Sequence, residues 1–307
     1  APKRRSGSRA TSLLLAFLLR SWEAPVIFMA LAYSAALVCD FFFGSRMPLN
    51  TIFGYSTHYA GRFYGVGNIQ MAQLIGAVSV VVATLTATKR MPVWMKAAVA
   101  ATGGVICCAA MAAGANFGGI IAALVTFALM AIYFFVRKLS GKTFVFLGAL
   151  SAVFILALIV ASRFIPSVAQ THFGVFFSKL YEGEFSYVFM ILKGKAKLLA
   201  TSFFGIYWDL LLAAILSLMA GIYLRYRNEA VALFKERVEL YAVGKALFYG
   251  GIAGFLFNDS GVSVTVNMWL YWIFVFLLIM AQRRVQPGRS ENHGPPPVEN
   301  MLPEAAV

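Results

Sequence analysis

The sequence has few charged residues and few cysteines, and each scarcity excludes a class of protein. Charged residues make up 12% of the chain and apolar residues 61%, so most helices lack the polar outer faces that a soluble domain needs. The cysteines Cys39, Cys107 and Cys108 lie in or beside apolar runs, which indicates small core residues and no disulfide or metal framework. No motif that reads RNA or DNA is present, so the excess of basic residues does not indicate a nucleic-acid partner.

Several apolar runs are each long enough to cross a bilayer as a helix of about twenty residues. They predict an all-α fold, a polytopic transmembrane bundle of about eight spans. The expected spans are residues 24–43, 68–88, 93–113, 117–136, 143–162, 205–224, 244–257 and 262–281.

The distribution of lysine and arginine sets the expected orientation. Most of the 26 basic residues lie in alternate connections and in the segment 1–23, as the positive-inside rule places them in the cytoplasm. The short apolar run in that segment is expected to be interfacial. Both termini are therefore predicted to be cytoplasmic, with outer loops at 44–67 and 163–204 in a transmembrane domain over 24–284. Residues 285–307 are proline-rich and polar and are expected to form a disordered tail.

Four polar breaks fall at the outer face in this topology: Asp40, the stretch 59–68, Asn116 and the turn 258–261. Polar and ionisable groups at the ends of spans are costly unless they are solvated or paired, so a shared outer cavity is expected. His58 precedes the second break and is a candidate acid–base group. A lone loop histidine is more often an ordinary surface residue.

Arg62 is the first candidate for substrate binding in this cavity. Its guanidinium suits a phosphate or carboxylate, and Gly65 and Gly67 would let backbone N–H groups approach an anion. Tyr64 belongs to the same stretch, and Asn68 is expected to cap the second span, whose N-terminal end favours an anion. The alternative is a tight turn in which the arginine pairs with an aspartate for structure.

The break Asn258-Asp259-Ser260-Gly261 interrupts a long apolar stretch near the C-terminus. It would either join two spans at the surface or make a discontinuous helix whose ends face a ligand. Asp259 is a candidate base, proton site or cation ligand, and Asn258 and Ser260 are candidate substrate ligands; a plain reversing turn is the alternative. The shortness of the expected span 244–257 favours the functional interpretation, because the turn would then lie slightly inside the membrane.

Asp40 and Asp209 are candidates to join Asp259 around a divalent ion, for which oxygen ligands are appropriate. Their separation in sequence gives this no support, and solvated acids at helix ends are the simpler interpretation. Asn116 is a candidate substrate ligand and, alternatively, an inter-helix hydrogen-bonding residue. The sequence indicates no particular cofactor.

Two further patterns have structural interpretations. The spacings Gly114-x-x-x-Gly118 and Gly250-x-x-x-Gly254 predict close helix packing. The charged segment 225–243 predicts a cytoplasmic helix that carries an (i, i+4) Lys235–Glu239 pair.

Three motifs resemble those of a family of poorly characterised bacterial membrane proteins. They are Arg-Phe-Tyr-Gly-Val-Gly-Asn at 62–68, Gly-Ala-Asn-Phe-Gly-Gly at 114–119 and Phe-Asn-Asp-Ser-Gly-Val at 257–262. Some members of that family have an alkaline-phosphatase-like extracytoplasmic part ahead of such a membrane half, and this chain looks like the membrane half alone. The resemblance implies a protein of the bacterial inner membrane with a role in the cell envelope.

These observations leave three functions open. The first is a membrane-embedded module that handles a phosphorylated or lipid-linked envelope substrate at the outer face. In that reading the connection 163–204, whose aromatic and basic residues predict amphipathic surface helices, covers the cavity or contacts lipid head groups. The second is a secondary transporter or flippase with Arg62 and Asp259 as a coupling pair. The third is an anchor or scaffold for an extracytoplasmic domain or partner subunit, and all three expect membrane lipids as partners.

Overall fold

A computed structural model describes residues 24–43, 47, 66–87, 91–113, 116–135, 156, 160 and 172–285. Nearly all of these residues are helical and none forms a strand, so the all-α fold is confirmed for this part of the chain. The helices are α1 (Ala24–Phe42), α2 (Asn68–Thr86), α3 (Val93–Ala113), α4 (Phe117–Phe135), α5 (His172–Tyr181), α6 (Phe185–Thr201), α7 (Ile206–Glu236), α8 (Val238–Phe257) and α9 (Val262–Val285). A 3-10 turn, Ser202–Phe204, joins α6 to α7.

Among the described residues, six helices are long and apolar enough to cross a membrane, as expected for a polytopic membrane protein. They are α2, α3, α4, α7, α8 and α9. The apolar part of α1, Ala24–Asp40, is shorter. The span expected at 143–162 lies almost wholly outside the described residues, so the number eight stays a prediction.

Helix α2 lies at the centre of the bundle and contacts α1, α3, α4, α8 and α9. Every residue from Gln70 to Val80 is buried, because neighbouring helices surround this part of α2 on all sides. Helix α7 is the opposite case, since most of its length is exposed and presents large apolar side chains outward. The bundle therefore has one helix that is enclosed over most of its length and several helices with broad apolar outer faces.

Glycine lets the helices approach closely where α8 crosses its neighbours. A Cβ atom at Gly250 would collide with the Thr126 side chain of α4, and one at Gly254 would lie 2.7 Å from a methyl carbon of Val264 in α9. The packing role predicted for this glycine pair is confirmed. Gly114, from the other predicted pair, lies outside the described residues.

The span expected at 244–257 is longer than the sequence suggested. Helix α8 begins at Val238 and has 20 residues, so the prediction of a short span is wrong. Helix α7 likewise continues to Glu236, with a break in helical geometry at Tyr226. The bounds of both spans were predicted too short for the same reason. Charged residues beyond the apolar part of each span continue the helix and do not end it.

The end of the bundle opposite Asn68, named here the charged end, is held by ion pairs between helices. Lys96 of α3 pairs with Glu239 of α8. Arg283 and Arg284 of α9 pair with Glu236 and Glu229 of α7. The expected Lys235–Glu239 pair is wrong, because Lys235 lies in the last turn of α7 and Glu239 in the first turn of α8.

Helices α5 and α6 form a hairpin, which confirms that the connection 163–204 contains helices. The turn between them holds Gly183 at a φ of 76°, a conformation that glycine adopts without strain. Lys179 donates hydrogen bonds to Glu182 and Glu184 at 2.8 Å each. The bond from Lys179, together with one from Ser178, holds the pKa of the Glu182 carboxyl below its ordinary value.

Replacing Gly76 by alanine tests the close contact between α2 and α9. An added Cβ would lie 2.8 Å from the backbone oxygen of Met268, so we expect a loss of about 1–3 kcal/mol from overpacking. The control is Gly221→Ala in α7, where nothing lies within 4 Å of an added Cβ. That change should be neutral or stabilising by up to about 1 kcal/mol, because alanine favours helix.

The measurement is the unfolding midpoint of both variants in detergent, followed by the fraction of folded monomer after heating. Equal midpoints for Gly76→Ala and Gly221→Ala would contradict the described packing of α2 against α9.

Candidate functional site

Three side chains that are distant in sequence are joined by hydrogen bonds at one end of the bundle. The Asn68 side-chain nitrogen donates to the Ser260 hydroxyl at 2.8 Å, and the Asn116 side-chain nitrogen donates to the Asn68 side-chain oxygen at 3.0 Å. We name this end the motif end, defined by Val66–Asn68, Asn116 and the turn Asn258–Gly261. It brings together the starts of α2, α4 and α9 and the end of α8.

Asn116 acts as a link between two helices. Its side-chain oxygen accepts from the Gly119 backbone N–H at 2.9 Å, which caps the start of α4. Its side-chain nitrogen donates to the Val66 carbonyl oxygen at 3.1 Å as well as to Asn68. An amide suits this position because it donates and accepts at once. The inter-helix hydrogen bond considered for this residue is confirmed.

Asn68 does not cap α2, so that prediction is wrong. Gly67 occupies the cap position in an extended conformation, and no side chain caps the helix. Asn68 is the first helical residue, and its side chain is used instead to bind Ser260 and Asn116. Contacts between helices therefore take precedence here over the local capping bond.

Asn258 contributes a buried polar group to the motif end. Its side chain is 8% exposed, and its amide nitrogen has no hydrogen-bond partner in the described part of the chain. It packs against Gly118, where an added Cβ would lie 2.5 Å from the Phe257 carbonyl oxygen. The turn then reverses at Gly261, whose φ is 43°. A buried donor left unpaired is costly, which makes Asn258 a candidate to bind a polar group.

Asp259 lies at the surface beside this buried layer. Its carboxylate pairs with the Lys195 ammonium of α6 at 3.0 Å, and both side chains are 54% exposed. An ion pair this exposed contributes little to stability. Both side chains are therefore accessible from solution, and α6 contacts the bundle at this point through this pair.

The remaining predicted site residues fall into two groups. His58, Arg62, Tyr64 and Gly65 lie outside the described residues. Asp40 is described, and its carboxylate accepts from the Met47 backbone N–H at 3.0 Å. Within the described part of the chain, no three His, Cys, Asp or Glu side chains are grouped so as to hold a metal ion.

A second polar layer, which was not among the predicted site residues, lies deeper between α1, α2 and α9. The Tyr33 hydroxyl donates to the Gln73 side-chain oxygen at 2.5 Å, and the Gln73 side-chain nitrogen donates to the Asn267 side-chain oxygen at 3.0 Å. Asn267 then donates to the Ser263 carbonyl oxygen at 2.8 Å. Gln73 and Asn267 are buried. Amides inside predicted spans were the signal that could have identified this layer.

Gln70 extends the polar character of α2 between the two layers. It is 4% exposed, and its side-chain oxygen has no hydrogen-bond partner among the described residues. Around α2 the two layers thus offer amides and hydroxyls, which bind and orient polar groups but do not ordinarily exchange protons. Among the residues of the motif end, Asp259 is the one carboxylate, and it lies at the surface.

Replacing Asn116 by aspartate separates its capping role from its linking role. Aspartate keeps the acceptor for Gly119 but loses the donor to Val66 and Asn68, so we expect a loss of about 1–3 kcal/mol in the free energy of unfolding. The control is Thr102→Ala on α3, an exposed residue that bonds its own helix at Ala98, with an expected change within about 0.5 kcal/mol.

Unfolding midpoints in detergent measure both effects. An Asn116→Asp variant as stable as the wild type would mean that capping is the only structural role of this residue.

The segments that carry the family resemblance meet at the motif end as far as they are described, over Val66–Asn68, Asn116–Gly119 and Phe257–Val262. The resemblance itself stays a prediction from those motifs. Comparisons with protein-family models, with curated proteins and with solved structures found no match.

Proposed function

We propose that this chain is a bacterial inner-membrane protein of eight spans with both termini in the cytoplasm. In this proposal the motif end faces away from the cytoplasm and binds a phosphorylated or lipid-linked substrate of the cell envelope. The orientation is supported by the charged end, where Lys96, Arg283 and Arg284 lie together with the basic residues of the α7–α8 junction. Basic residues at the end of a bundle favour the cytoplasmic side.

One observation carries the binding proposal. The hydrogen bonds from Asn68 to Ser260 and from Asn116 to Asn68 hold the start of α2 against the α8–α9 turn. The arginine-glycine stretch 62–67 leads directly into Asn68, and its described end, Val66–Gly67, lies beside Asn116 in this same cluster. The cluster provides a fixed platform for the loop that contains the principal anion-binding candidate.

The proposed roles follow from the chemistry of the groups. Arg62 and the backbone N–H groups around Gly65 and Gly67 bind the phosphate, because a guanidinium and successive amides suit an anion. Asn258 offers a buried amide donor that is unpaired among the described residues. Asp259 is accessible and acts as a base or as a ligand for an ion that accompanies the phosphate.

A scaffold function is the second candidate, and one observation favours it. Asn68, Asn116 and Ser260 satisfy one another, so these three groups form bonds that hold helices together without any ligand. In that case the motif end anchors an extracytoplasmic domain or a partner subunit, and its polar groups stabilise the bundle.

Lipid mass spectrometry on the gently purified protein tests the binding proposal. We expect a phosphorylated or polyprenyl-linked lipid to co-purify with the wild type, and Arg62→Ala to reduce its amount about tenfold or more, because a charge-assisted hydrogen bond to phosphate is lost. Asp259→Asn should retain the lipid if the aspartate acts in chemistry and not in binding.

The matched control is Arg225→Ala, which removes one arginine from the charged end, where Arg225 stacks on Tyr226. It should leave the co-purified lipid unchanged. The same bulk lipid in every variant would overturn the binding proposal. Unfolding midpoints lowered by both Arg62→Ala and Asp259→Asn would favour the scaffold.

A further inference from the structure

The α5–α6 hairpin extends from the bundle and is attached to it at the motif end. Helix α6 packs mainly on α5 and on the 3-10 turn that follows it. It contacts the bundle toward its C-terminal end, where Lys195 pairs with Asp259. In the 3-10 turn that follows, the Phe203 ring lies against Phe255, with ring centres 5.3 Å apart. The rest of α6 presents its outer side without a cover among the described residues.

One face of α6 carries an exposed apolar stripe. Phe185, Phe189 and Leu192 follow one another at spacings of four and three residues, which places them on one face of a helix. Their side chains are 67%, 68% and 53% exposed. Val188, which is buried, lies at one edge of this stripe, where the helix packs on the protein.

Two lysines lie along one edge of this stripe, on the side away from Val188. Lys193 and Lys197 are four residues apart, lie next to the apolar face and are exposed. Neither forms an ion pair with another described residue, whereas Lys195 on the inner side pairs with Asp259. An exposed apolar stripe bordered by lysines is typical of a helix that lies in a membrane interface, where long basic side chains reach the head groups.

The position of α6 agrees with that interpretation. Helices α8 and α9 are both membrane-spanning candidates, and they meet at the turn that Lys195 contacts. The turn between two spans lies at the membrane surface, so the attachment point of α6 lies at the level of the lipid head groups.

We propose that α6 is an interfacial helix that binds the anionic phospholipids of the leaflet at the motif end. Phe185, Phe189 and Leu192 insert among the acyl chains, and Lys193 and Lys197 bind lipid phosphates. Lys195 pairs with Asp259 and so attaches α6 to the motif end. Lipid binding by the other face of α6 therefore holds the hairpin next to the candidate site. The inference concerns a surface apart from the buried cluster and does not depend on what the motif end binds.

Spin labels on the full chain in vesicles test the insertion. In a background with Cys39, Cys107 and Cys108 replaced, one label is placed at Phe189→Cys and another at Gly194→Cys on the opposite face, where nothing lies within 4 Å of an added Cβ. The vesicles contain equal parts of phosphatidylglycerol and phosphatidylcholine. We expect the label at 189 to be relaxed by oxygen and shielded from an aqueous nickel chelate, and the label at 194 to show the reverse.

Titration of phosphatidylglycerol into the detergent-solubilised protein tests the charge requirement, with the mobility of the label at 189 as the readout. The Lys193→Gln/Lys197→Gln variant should lose about 30-fold in apparent affinity, which is the loss expected when two lysines near an anionic surface are neutralised. The charge-matched control, Arg225→Gln/Arg227→Gln in α7, should keep the wild-type affinity.

Equal access of the nickel chelate to positions 189 and 194 in vesicles would overturn the proposal. So would an unchanged affinity for phosphatidylglycerol in the Lys193→Gln/Lys197→Gln variant. A label at 189 that is immobilised equally in detergent without lipid would show that protein, and not lipid, covers the stripe. The accessibility of the labels and the affinity for phosphatidylglycerol do not depend on which lipid co-purifies with the motif end. Each of the two proposals can therefore be contradicted without the other.

Discussion

The arrangement of the bundle depends on pairing Asn68 and Gln73, two polar side chains that α2 carries into an apolar interior. An amide left unpaired in a hydrocarbon-like environment costs several kcal/mol, whereas a hydrogen bond between membrane helices contributes only about 1 kcal/mol. Hydrogen bonding therefore acts mainly by making other helix arrangements, in which these amides stay unpaired, unfavourable. Gln73 binds α1 and α9 at the same time, and Asn68 binds α4 and the α8–α9 turn. A rotation of α2 by one residue would break both sets of bonds.

Packing and hydrogen bonding select the same arrangement. Gly76 brings the backbone of α2 against α9, on the same helix pair that Gln73 and Asn267 join. Gly118 brings α4 against the end of α8, beside the buried Asn258. The motif end follows from these contacts, because the chain segments that enter it are fixed to helices whose register is set deeper in the bundle. Any ligand of this end would meet a preformed surface.

The sequence predicted the helical elements better than the partners of their side chains. Apolar length gave the spans of α2, α3 and α4 closely, since each is bounded by polar or basic residues. It failed at α7 and α8, because helices continue past the apolar core when charged residues find partners such as Lys96 for Glu239. The convergence of the turn 258–261 with Asn68 and Asn116 was anticipated from topology alone. The role of Asn68 was not predicted, because the preference of asparagine for helix caps describes a local hydrogen bond and not a contact between helices.

The most direct test of this account is disulfide cross-linking in native membranes between α2 and the α8–α9 turn. In a cysteine-free background, Asn68→Cys with Ser260→Cys should form an intramolecular disulfide on mild oxidation, since these side chains are joined by a bond of 2.8 Å. The control pair, Thr84→Cys with Ser260→Cys, should not react, because Thr84 lies about 24 Å further along α2. Failure of the first pair to cross-link, with both cysteines reactive toward maleimide, would contradict the central claim that α2 holds the separate motifs together.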